Sequence, residues 1–360
     1  MNRKHFLFAT LVCLLSIFLT SCNDKIDLTA DYKDISFSYS IINKNDSIHY
    51  FKIYKGYLTD ESAYDVASDW NSIYYPVDSI EVRLEEYVGN QLIRSAVLDT
   101  TTQVLKEPGY FANPKQLLYY SDWKLDEEAT YRLVLKHKNT GKESYAETPI
   151  VGDFSISRPT NYWNMNLDQS FKIKFYAANN AAAYDIYMDF CYIEVDNVTG
   201  EITHKTLSKR LNSDLIRDVS IYGGGGRDIS YNVTPNTFFT FLEQNIEKND
   251  RVTRYIDAID NNPYFCMRLY VWAANDNFVK YRDVATPNSS IVQNRLEYTN
   301  FVSDDNNAYG IFASRNCTSK ILKMDNSQGH NEDTLVYGQH TKDLNFGFYR
   351  NSPLFLSEEK

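Results

Sequence analysis

YRLVLKHKNTGKESYAET, residues 131–148, gives the clearest indication of the fold class of this chain. Its two ends, Tyr131 to Lys136 and Glu143 to Thr148, are strand-like runs rich in aromatic and branched residues. Between them lies Lys138-Asn139-Thr140-Gly141, a polar turn that contains a glycine. Two such runs joined by a short glycine-containing loop predict a β-hairpin.

Further strand signals occur on both sides of this hairpin. The run Ile80-Glu81-Val82-Arg83-Leu84-Glu85 alternates strictly between apolar and polar residues, as a half-buried strand does. Later in the chain we predict a strand in which Phe171, Ile173 and Phe175 share one face, a long strand from Tyr184 to Val195 that turns at residues 197–200 and returns from Glu201 to Leu207, and another strand from Cys266 to Trp272.

Helix signals are fewer. Thr234-Pro235 places a cap and a first-turn proline before Phe238, Phe241, Leu242 and Ile246, which are spaced for one helix face. Thr286-Pro287 precedes Ile291, Val292 and Leu296 in the same manner. The sequence therefore predicts one or two helices in a chain that is mostly strand.

The chain divides best near Ser157-Arg158-Pro159-Thr160. The spaced strands of residues 35–157 are typical of an immunoglobulin- or fibronectin-like β-sandwich. Residues 158–360 combine long strands with the inserted helices, which predicts a β-rich α+β domain. The predicted fold class is therefore mostly β, with an N-terminal sandwich followed by a second β-rich domain.

Residues 1–21 have the composition of a lipoprotein signal peptide. Arg3 and Lys4 give a positive start, and residues 6–19 form an uncharged apolar run. This run is shorter than the roughly 20 residues that cross a bilayer, so it predicts export and not a membrane-spanning helix.

The segment ends in Leu19-Thr20-Ser21-Cys22, which resembles the lipobox of bacterial lipoproteins. The resemblance implies cleavage before Cys22, a lipid on its sulfur, and acylation of the new N-terminus by a fatty acid such as palmitate. Several acyl chains together hold a protein stably at a membrane. Residues 22–34 then form a short lipidated tether. An ordinary signal peptide that happens to contain Ser-Cys is the alternative.

The charge of the chain excludes some classes of partner. Removal of Arg3 and Lys4 with the signal leaves 35 basic and 47 acidic residues, a formal charge of −12. So acidic a body is unsuited to nucleic acid or to anionic lipid headgroups, because both repel it. We therefore expect no nucleic-acid partner and a membrane association that depends on the N-terminal lipid.

Cysteine and histidine give no sign of a catalytic or metal centre. Cys191, Cys266 and Cys317 remain after cleavage, and three cysteines cannot pair completely. We expect buried free thiols, although one disulfide is compatible with the count. The sequence has no Cys-x-x-Cys, no His-Glu-x-x-His and no Gly-x-Ser-x-Gly. We predict no catalytic residues, no metal and no cofactor.

Two tryptophans are the candidate ligand-binding residues. Trp70 and Trp123 lie in polar, loop-like surroundings, where an indole ring can stack on a ligand or cap a sandwich core. Gly223 to Gly226 followed by Arg227 lacks the Lys-Ser/Thr of a phosphate loop and predicts a flexible loop. Carboxylates cluster at residues 81–86, 126–128 and 304–305, which solvated edges and turns explain more simply than a glycosidase pair.

Several features together resemble an uncharacterised Bacteroidetes lipoprotein family, that of domain of unknown function 4249. These are the lipobox with its short tether, the hairpin that closes the N-terminal sandwich, and a C-terminal segment from Tyr298-Thr-Asn-Phe to Gly310-Ile311-Phe312. The resemblance implies an outer-membrane lipoprotein, often a companion of a TonB-dependent transporter. No catalytic residues are established for that family, so the resemblance assigns none to this chain.

Four short motifs resemble the O-glycosylation sites of exported Bacteroidetes proteins, in which Asp precedes Ser or Thr and then an apolar or hydroxyl residue. The acceptor residues are Ser47, Ser79, Thr100 and Thr334. Asp24 and Asp27 partly resemble a surface-export signal. Both features support the same phylum, and the second predicts that the body faces the cell surface.

The sequence therefore predicts a non-enzymatic, lipid-anchored outer-membrane protein that captures a ligand or assists a TonB-dependent transporter. Two alternatives stay open. One is a structural or adhesive surface component, such as a fimbria-associated subunit. The other is a carbohydrate-active enzyme, which would need an opposed carboxylate pair that sequence cannot show.

Overall fold

A computed structural model describes residues 33–57, 62–109, 114–163, 170–217, 225–234, 236–285, 298–324 and 330–358. The predicted signal peptide, Cys22 and most of the tether lie outside these ranges. So do the second predicted helix, after Thr286-Pro287, and the first two glycines of the run 223–226. The described chain is mostly β with several short helices, so the predicted β-rich α+β class is confirmed.

The strands are β1 (Ser36–Ile42), β2 (His49–Lys55), β3 (Ile80–Val88), β4 (Gln91–Val97), β5 (Asp99–Thr101), β6 (Leu118–Ser121), β7 (Thr130–His137), β8 (Glu143–Pro149), β9 (Ile156–Arg158), β10 (Tyr162–Trp163), β11 (Phe171–Tyr176), β12 (Ala183–Asp196), β13 (Ile202–Arg210), β14 (Ile216–Arg217), β15 (Asp228–Val233), β16 (Val252–Ile256), β17 (Phe265–Ala274), β18 (Phe301–Ser303) and β19 (Ala308–Met324). The α-helices are α1 (Ala63–Ser68), α2 (Trp70–Ile73), α3 (Thr237–Asn245), α4 (Asp276–Ala285), α5 (His330–Tyr337) and α6 (Pro353–Glu358).

One large sheet runs through the molecule in the order β13-β12-β17-β19-β1-β2-β6-β5. A second sheet has the order β18-β8-β7-β3-β4, and a small third sheet has the order β15-β11-β9. The predicted hairpin is confirmed, because β7 and β8 pair antiparallel and Gly141 supplies the positive φ (70°) that their turn requires. Strands β3 and β17 likewise confirm the runs that predicted them.

The N-terminal core lies between the large sheet and the second sheet. Phe51 and Ile53 of the large sheet face Leu84, Leu133 and their neighbours, as in a β-sandwich. C-terminal residues complete this core, because Phe301, Ala308 and Phe312 belong to it. Strand β19 pairs parallel with β1, and β18 pairs with β8. The sheets therefore continue across the boundary predicted at residues 157 and 158, and the division into two domains stays a prediction.

Residues of the C-terminal motif that carries the family resemblance contact one another through the side chain of Asn300. Asn300 accepts a hydrogen bond from the Phe312 amide (2.9 Å) and donates to the Phe312 carbonyl (2.7 Å) and to the Glu147 carbonyl (3.1 Å). One amide side chain thus joins β8 to β19. This contact explains why an asparagine stands there, since a buried backbone group must find a partner.

A second core packs the other half of the large sheet against the third sheet and α3. Phe238, Phe241 and Leu242 of α3 are buried there, which confirms the helix predicted from their spacing. The helix begins after Asn236, which has positive φ (62°), and not at the predicted cap Thr234. None of the helices in the described residues is long and apolar enough to span a membrane.

Candidate functional site

Strand β1 turns its small residues inward and its aromatic residues outward. Ser36, Ser38 and Ser40 are fully buried, whereas Phe37 is half-buried and Tyr39 is 41% exposed. This arrangement is the reverse of an ordinary sandwich strand, in which the large apolar side chains fill the core. The outer face of the large sheet is therefore unusually aromatic at this strand.

The close pairing of β1 with β19 requires small residues. Ser38 is the register partner of Gly310, which has φ of 115°. A Cβ atom on Gly310 would lie 1.9 Å from the Ser38 carbonyl oxygen, so no other residue fits without movement of a strand. The glycine of the C-terminal motif thus fixes the register that places the outer aromatic residues side by side.

Five aromatic side chains follow one another across the sheet, and we call them the aromatic row: Trp70, Tyr74, Tyr54, Phe37 and Tyr309. Tyr54, Phe37 and Tyr309 are register partners on β2, β1 and β19, and the rings of Phe37 and Tyr309 stack at 6.0 Å. The ring centroids of Tyr54 and Tyr74 lie 5.6 Å apart, and those of Tyr74 and Trp70 lie 4.4 Å apart. All of these except Tyr74 are half-buried.

Helix α2 positions Trp70 and Tyr74, the two residues at one end of the row. Asp69 caps the helix, since its carboxylate accepts hydrogen bonds from the Ser72 amide (2.9 Å) and hydroxyl (2.7 Å). The cap fixes the first helical residue, Trp70, and the following residues Ile73 and Tyr74 pack with Leu117. The predicted binding residue Trp70 is therefore positioned by a capped turn against a small core of its own.

A second row of side chains lies beside the first on the same face. Lys52 of β2 pairs with Tyr39 of β1, and the Tyr39 ring meets the Tyr281 ring of α4 edge to face at 6.2 Å. Helix α4 begins after Asn275, whose side chain accepts from the Phe278 amide (3.2 Å). Helix α2 and helix α4 therefore lie at opposite ends of this half-buried aromatic surface.

Tyr54 and Tyr74 of the row are neutral hydrogen-bonding groups. Burial and the neighbouring Tyr54 raise the pKa of Tyr74 to about 12, and burial raises the pKa of Tyr54. Neither hydroxyl ionises near neutral pH. Rings with neutral hydroxyl edges can stack on the flat face of a ligand and exchange hydrogen bonds with its polar rim.

Trp123, the other predicted binding residue, lies elsewhere. Its half-buried ring packs on the N-terminal core, and the Arg94 guanidinium lies 4.0 Å from the ring centroid. The His49 ring nitrogen Nε2 donates to the Trp123 carbonyl at 2.8 Å. One face of this indole is therefore covered by a cation, and the structure does not bring Trp123 together with Trp70.

The other end of the outer face carries what we call the polar lattice: Asp185, Tyr187, Asp189, Arg210, Arg268, Tyr270 and Trp272. Arg210 pairs with Asp185 at 2.6 Å, and Ser208 donates to Asp189 at 2.6 Å. Arg268 donates to the Tyr270 hydroxyl at 3.3 Å, and Arg315 lies 4.7 Å from the Trp272 ring centroid. These polar groups already have partners on their own face.

Ser36, His137 and Asp34 have the atom order of a serine hydrolase triad. Ser36 Oγ lies 3.0 Å from His137 Nε2, and His137 Nδ1 lies 3.1 Å from Asp34 Oδ2. Ser36 is fully buried, however, and its amide donates to the Asn307 carbonyl. Tyr75 also bonds Ser36 Oγ (3.1 Å) and Asp34 (2.8 Å). A nucleophile must be accessible to its substrate, and the buried Ser36 is not. We therefore interpret these hydrogen bonds as structural contacts that hold the end of the tether against the folded body.

The predicted glycosylation sites differ in their surroundings. Ser47 is exposed in a turn between β1 and β2. The Ser79 hydroxyl donates to the Pro76 carbonyl (2.8 Å), Thr100 lies within β5, and Thr334 lies within α5. Among the four, Ser47 is the acceptor that the fold leaves most accessible, and all four stay predictions.

The thiols and the carboxylate clusters show no activated group. Cys191, Cys266 and Cys317 are free, and burial raises the pKa of each thiol, that of Cys317 to about 11. Within residues 80–88, Arg83 lies 2.9 Å from both Glu81 and Glu85. No group of three or more acidic, histidine or cysteine side chains in the described ranges is arranged to hold a metal ion.

Comparison with known proteins gives no relative from which a function can be transferred. No model of a known protein family matches the chain, and no curated protein matches it. The resemblance to the Bacteroidetes lipoprotein family therefore stays a prediction from sequence motifs.

Proposed function

We propose that this chain is a lipid-anchored, ligand-capturing protein of the outer membrane that works beside a TonB-dependent transporter. The observation that carries the proposal is the aromatic row, a line of mostly half-buried rings on the face of the large sheet opposite its two main cores. The lipobox and the negative charge of the mature chain support the proposed location at the outer membrane. The row supports capture because aromatic rings gain free energy when a flat ligand covers them.

The proposal assigns no chemical step to the chain. The buried Ser36 and the raised pKa of each thiol support a binding role in preference to nucleophilic catalysis. The ligand would lie across the strands at the aromatic row, between α2 and α4. The transporter would then receive the ligand from a protein held within the reach of a short tether.

A ligand screen with matched tryptophan variants tests the capture role. Trp70→Ala removes a ring of the row, and Trp272→Ala removes a half-buried tryptophan of the polar lattice on the same sheet face. We expect Trp70→Ala to weaken ligand binding about tenfold, since base or sugar stacking on one ring contributes on the order of 1–3 kcal/mol. Trp272→Ala should leave the affinity unchanged. Equal losses in both variants would contradict the assignment of the row.

Native pull-down from detergent-solubilised outer membranes tests the partner. The full chain, tagged at its C-terminus, should recover a TonB-dependent transporter, and Cys22→Ala should abolish palmitate labelling and membrane retention. Recovery without any transporter, combined with no ligand in the screen, would overturn the proposal. Loss of cell aggregation in a deletion strain would favour the adhesive role instead.

A further inference from the structure

We propose that the tether end of the body contacts the lipid bilayer directly, with Val77 and Leu105 inserted among the lipids. The tether end is the end of the N-terminal sandwich at which residues 33–36 join the tether to β1. This inference rests on the proposed lipid anchor and adds a second membrane contact, made by the folded body itself. Three observations support it: the loops at this end, their exposed apolar side chains, and the length of the tether.

The strand directions bring four loops together at the tether end. Strand β1 begins there at Ser36, and β2 and β5 run toward it, because neighbours in the order β1-β2-β6-β5 are antiparallel. Strand β3 begins there and β7 ends there, since Ile80 is the register partner of His137, whose ring lies 3.0 Å from the Ser36 hydroxyl. Strand β19, parallel to β1, begins beside Ser36. The loops after β2, β5 and β7 and the loop before β19 therefore lie at this end.

Two of these loops expose large apolar side chains. Val77, in the loop between β2 and β3, is 55% exposed, and Leu105, just beyond β5, is 61% exposed. Val77 lies beside the base of the tether, because the hydroxyl of Tyr75 donates a hydrogen bond to Asp34 at 2.8 Å. Tyr64 of α1, in the same loop as Val77, is 66% exposed. Apolar side chains gain free energy when they leave water, and aromatic residues favour the membrane interface.

Charge does not explain an attraction of this end to a membrane. The loop after β7 carries Lys138 and Lys142, and Lys142 forms a salt bridge with Asp305 of the loop before β19. The loop after β2 carries Asp65 and Asp78. The charges of the tether end are therefore of both signs, in a mature chain of formal charge −12. We infer an apolar contact, for which a zwitterionic bilayer is sufficient and which salt does not screen.

The length of the tether excludes a body that stands on its opposite end. The 11 residues 22–32 span at most about 40 Å when fully extended. Strand β19 has 17 residues and begins beside Ser36, so its last residue, Met324, lies about 50 Å from the tether end. With Met324 at the membrane, the tether would not reach the bilayer. The tether end is therefore the end that can stand on the membrane.

This orientation is compatible with the capture role. Phe37 and Tyr309 of the aromatic row directly follow Ser36 and Ala308, the register partners at the tether end. A body that stands on this end holds the row close to the bilayer. A transporter embedded in the same membrane would then lie beside the captured ligand.

Fluorescence quenching in vesicles tests the inference. The full mature chain, lipidated, is reconstituted into phosphatidylcholine vesicles with brominated acyl chains, which quench only fluorophores within the bilayer. A fluorescent non-natural residue replaces Val77 or Leu105. The matched controls replace Val88, at the opposite end of β3, or Val198, in the turn after β12; both are exposed apolar residues far from the tether end. We expect quenching at Val77 and Leu105 and none at the two controls.

A charge variant distinguishes insertion from proximity. Val77→Asp places a carboxylate at the contact, and burial of a carboxylate in a bilayer is unfavourable, so quenching of the Leu105 reporter should fall severalfold. Val88→Asp is the matched control and should leave that quenching unchanged. Thermal unfolding checks that each variant is folded.

The outcomes separate the inference from the proposed function. Vesicle-bound chains that show equal quenching at all four positions, or none at Val77 and Leu105, overturn the inference and leave the anchor and the capture role standing. Unchanged quenching in the Val77→Asp chain overturns it as well. A chain that carries no lipid on Cys22 and does not stay with the vesicles overturns the proposed anchor itself.

Discussion

The outer face of the large sheet differs between its two ends. At the β2-β1-β19 end it carries the aromatic row, with Lys52 beside it and no described carboxylate paired to that lysine. At the β13-β12-β17 end it carries the polar lattice, in which Asp185 and Asp189 already have partners. Most side chains at both ends are half-buried, so burial does not distinguish the ends. The two ends differ in whether their polar side chains already have partners on the same face.

This difference indicates where a ligand would gain free energy. A ligand on the polar lattice would have to replace hydrogen bonds that the lattice already makes, and the exchange is close to neutral. A ligand on the aromatic row instead covers half-buried rings, and the burial of apolar surface favours binding. We therefore propose the aromatic end as the binding surface, and the following variants test this difference between the two ends.

The largest effect is expected at Gly310. Gly310→Ala places a Cβ against the Ser38 carbonyl in a backbone conformation that alanine avoids. We expect the free energy of unfolding to fall by more than about 4 kcal/mol, measured by urea denaturation, because β1 and β19 must separate. Gly200→Ala is the control, since Gly200 also has positive φ (73°) but open space around it; its loss should be about 1–2 kcal/mol. Equal losses of stability in the Gly310→Ala and Gly200→Ala variants would show that β19 can shift to accommodate the added Cβ.

Ser36→Ala should have the next largest effect. It leaves the buried His137 Nε2 without its partner, which costs about 1–3 kcal/mol of stability. Ser38→Ala is the matched control on the same face, because the Ser38 hydroxyl bonds only the neighbouring Ser40 hydroxyl in the described structure, so a smaller loss is expected. The wild-type chain should also resist labelling by a fluorophosphonate. Labelling that depends on Ser36 would instead identify a hydrolase.

Acidification should destabilise the aromatic end through His49. Burial lowers the pKa of this histidine in the folded chain, so the unfolded chain binds a proton first as the pH falls below about 6.5. Stability should therefore decrease toward lower pH by at most about 1.4 kcal/mol per pH unit from this group. His49→Gln should flatten the slope in urea titrations between pH 7 and 5. Between pH 8 and 9 His49 is neutral in both the folded and the unfolded chain, so the variant and the wild type should show the same slope there.

The smallest effect is expected in the polar lattice. Arg210→Met breaks the pair with Asp185, which is partly exposed, and should change the free energy of unfolding by less than about 1 kcal/mol. Ligand affinity should not change. A loss of affinity as large as that of Trp70→Ala would place the binding surface at the lattice and reverse the comparison.

Local patterns predicted individual elements well. The hairpin of β7 and β8, the alternation of β3 and the buried face of α3 follow from side-chain periodicity within a few residues. The short helices α1, α2 and α4 were missed, because each is stabilised by packing or by a cap such as Asp69 and has little periodicity of its own. Trp70 was predicted as a binding residue, but its partners Tyr54, Phe37 and Tyr309 were not.

Composition and the order of neighbouring residues were enough to establish the β-rich class and the acidic charge. They also predict the export signal with Cys22, because such a signal depends only on neighbours along the chain. The tertiary structure alone decided the aromatic row. Phe37 and Tyr309 are more than two hundred residues apart, and only the parallel pairing of β1 with β19 makes them neighbours. That pairing depends on the fit of Gly310 against Ser38, a contact between distant residues that no local pattern encodes.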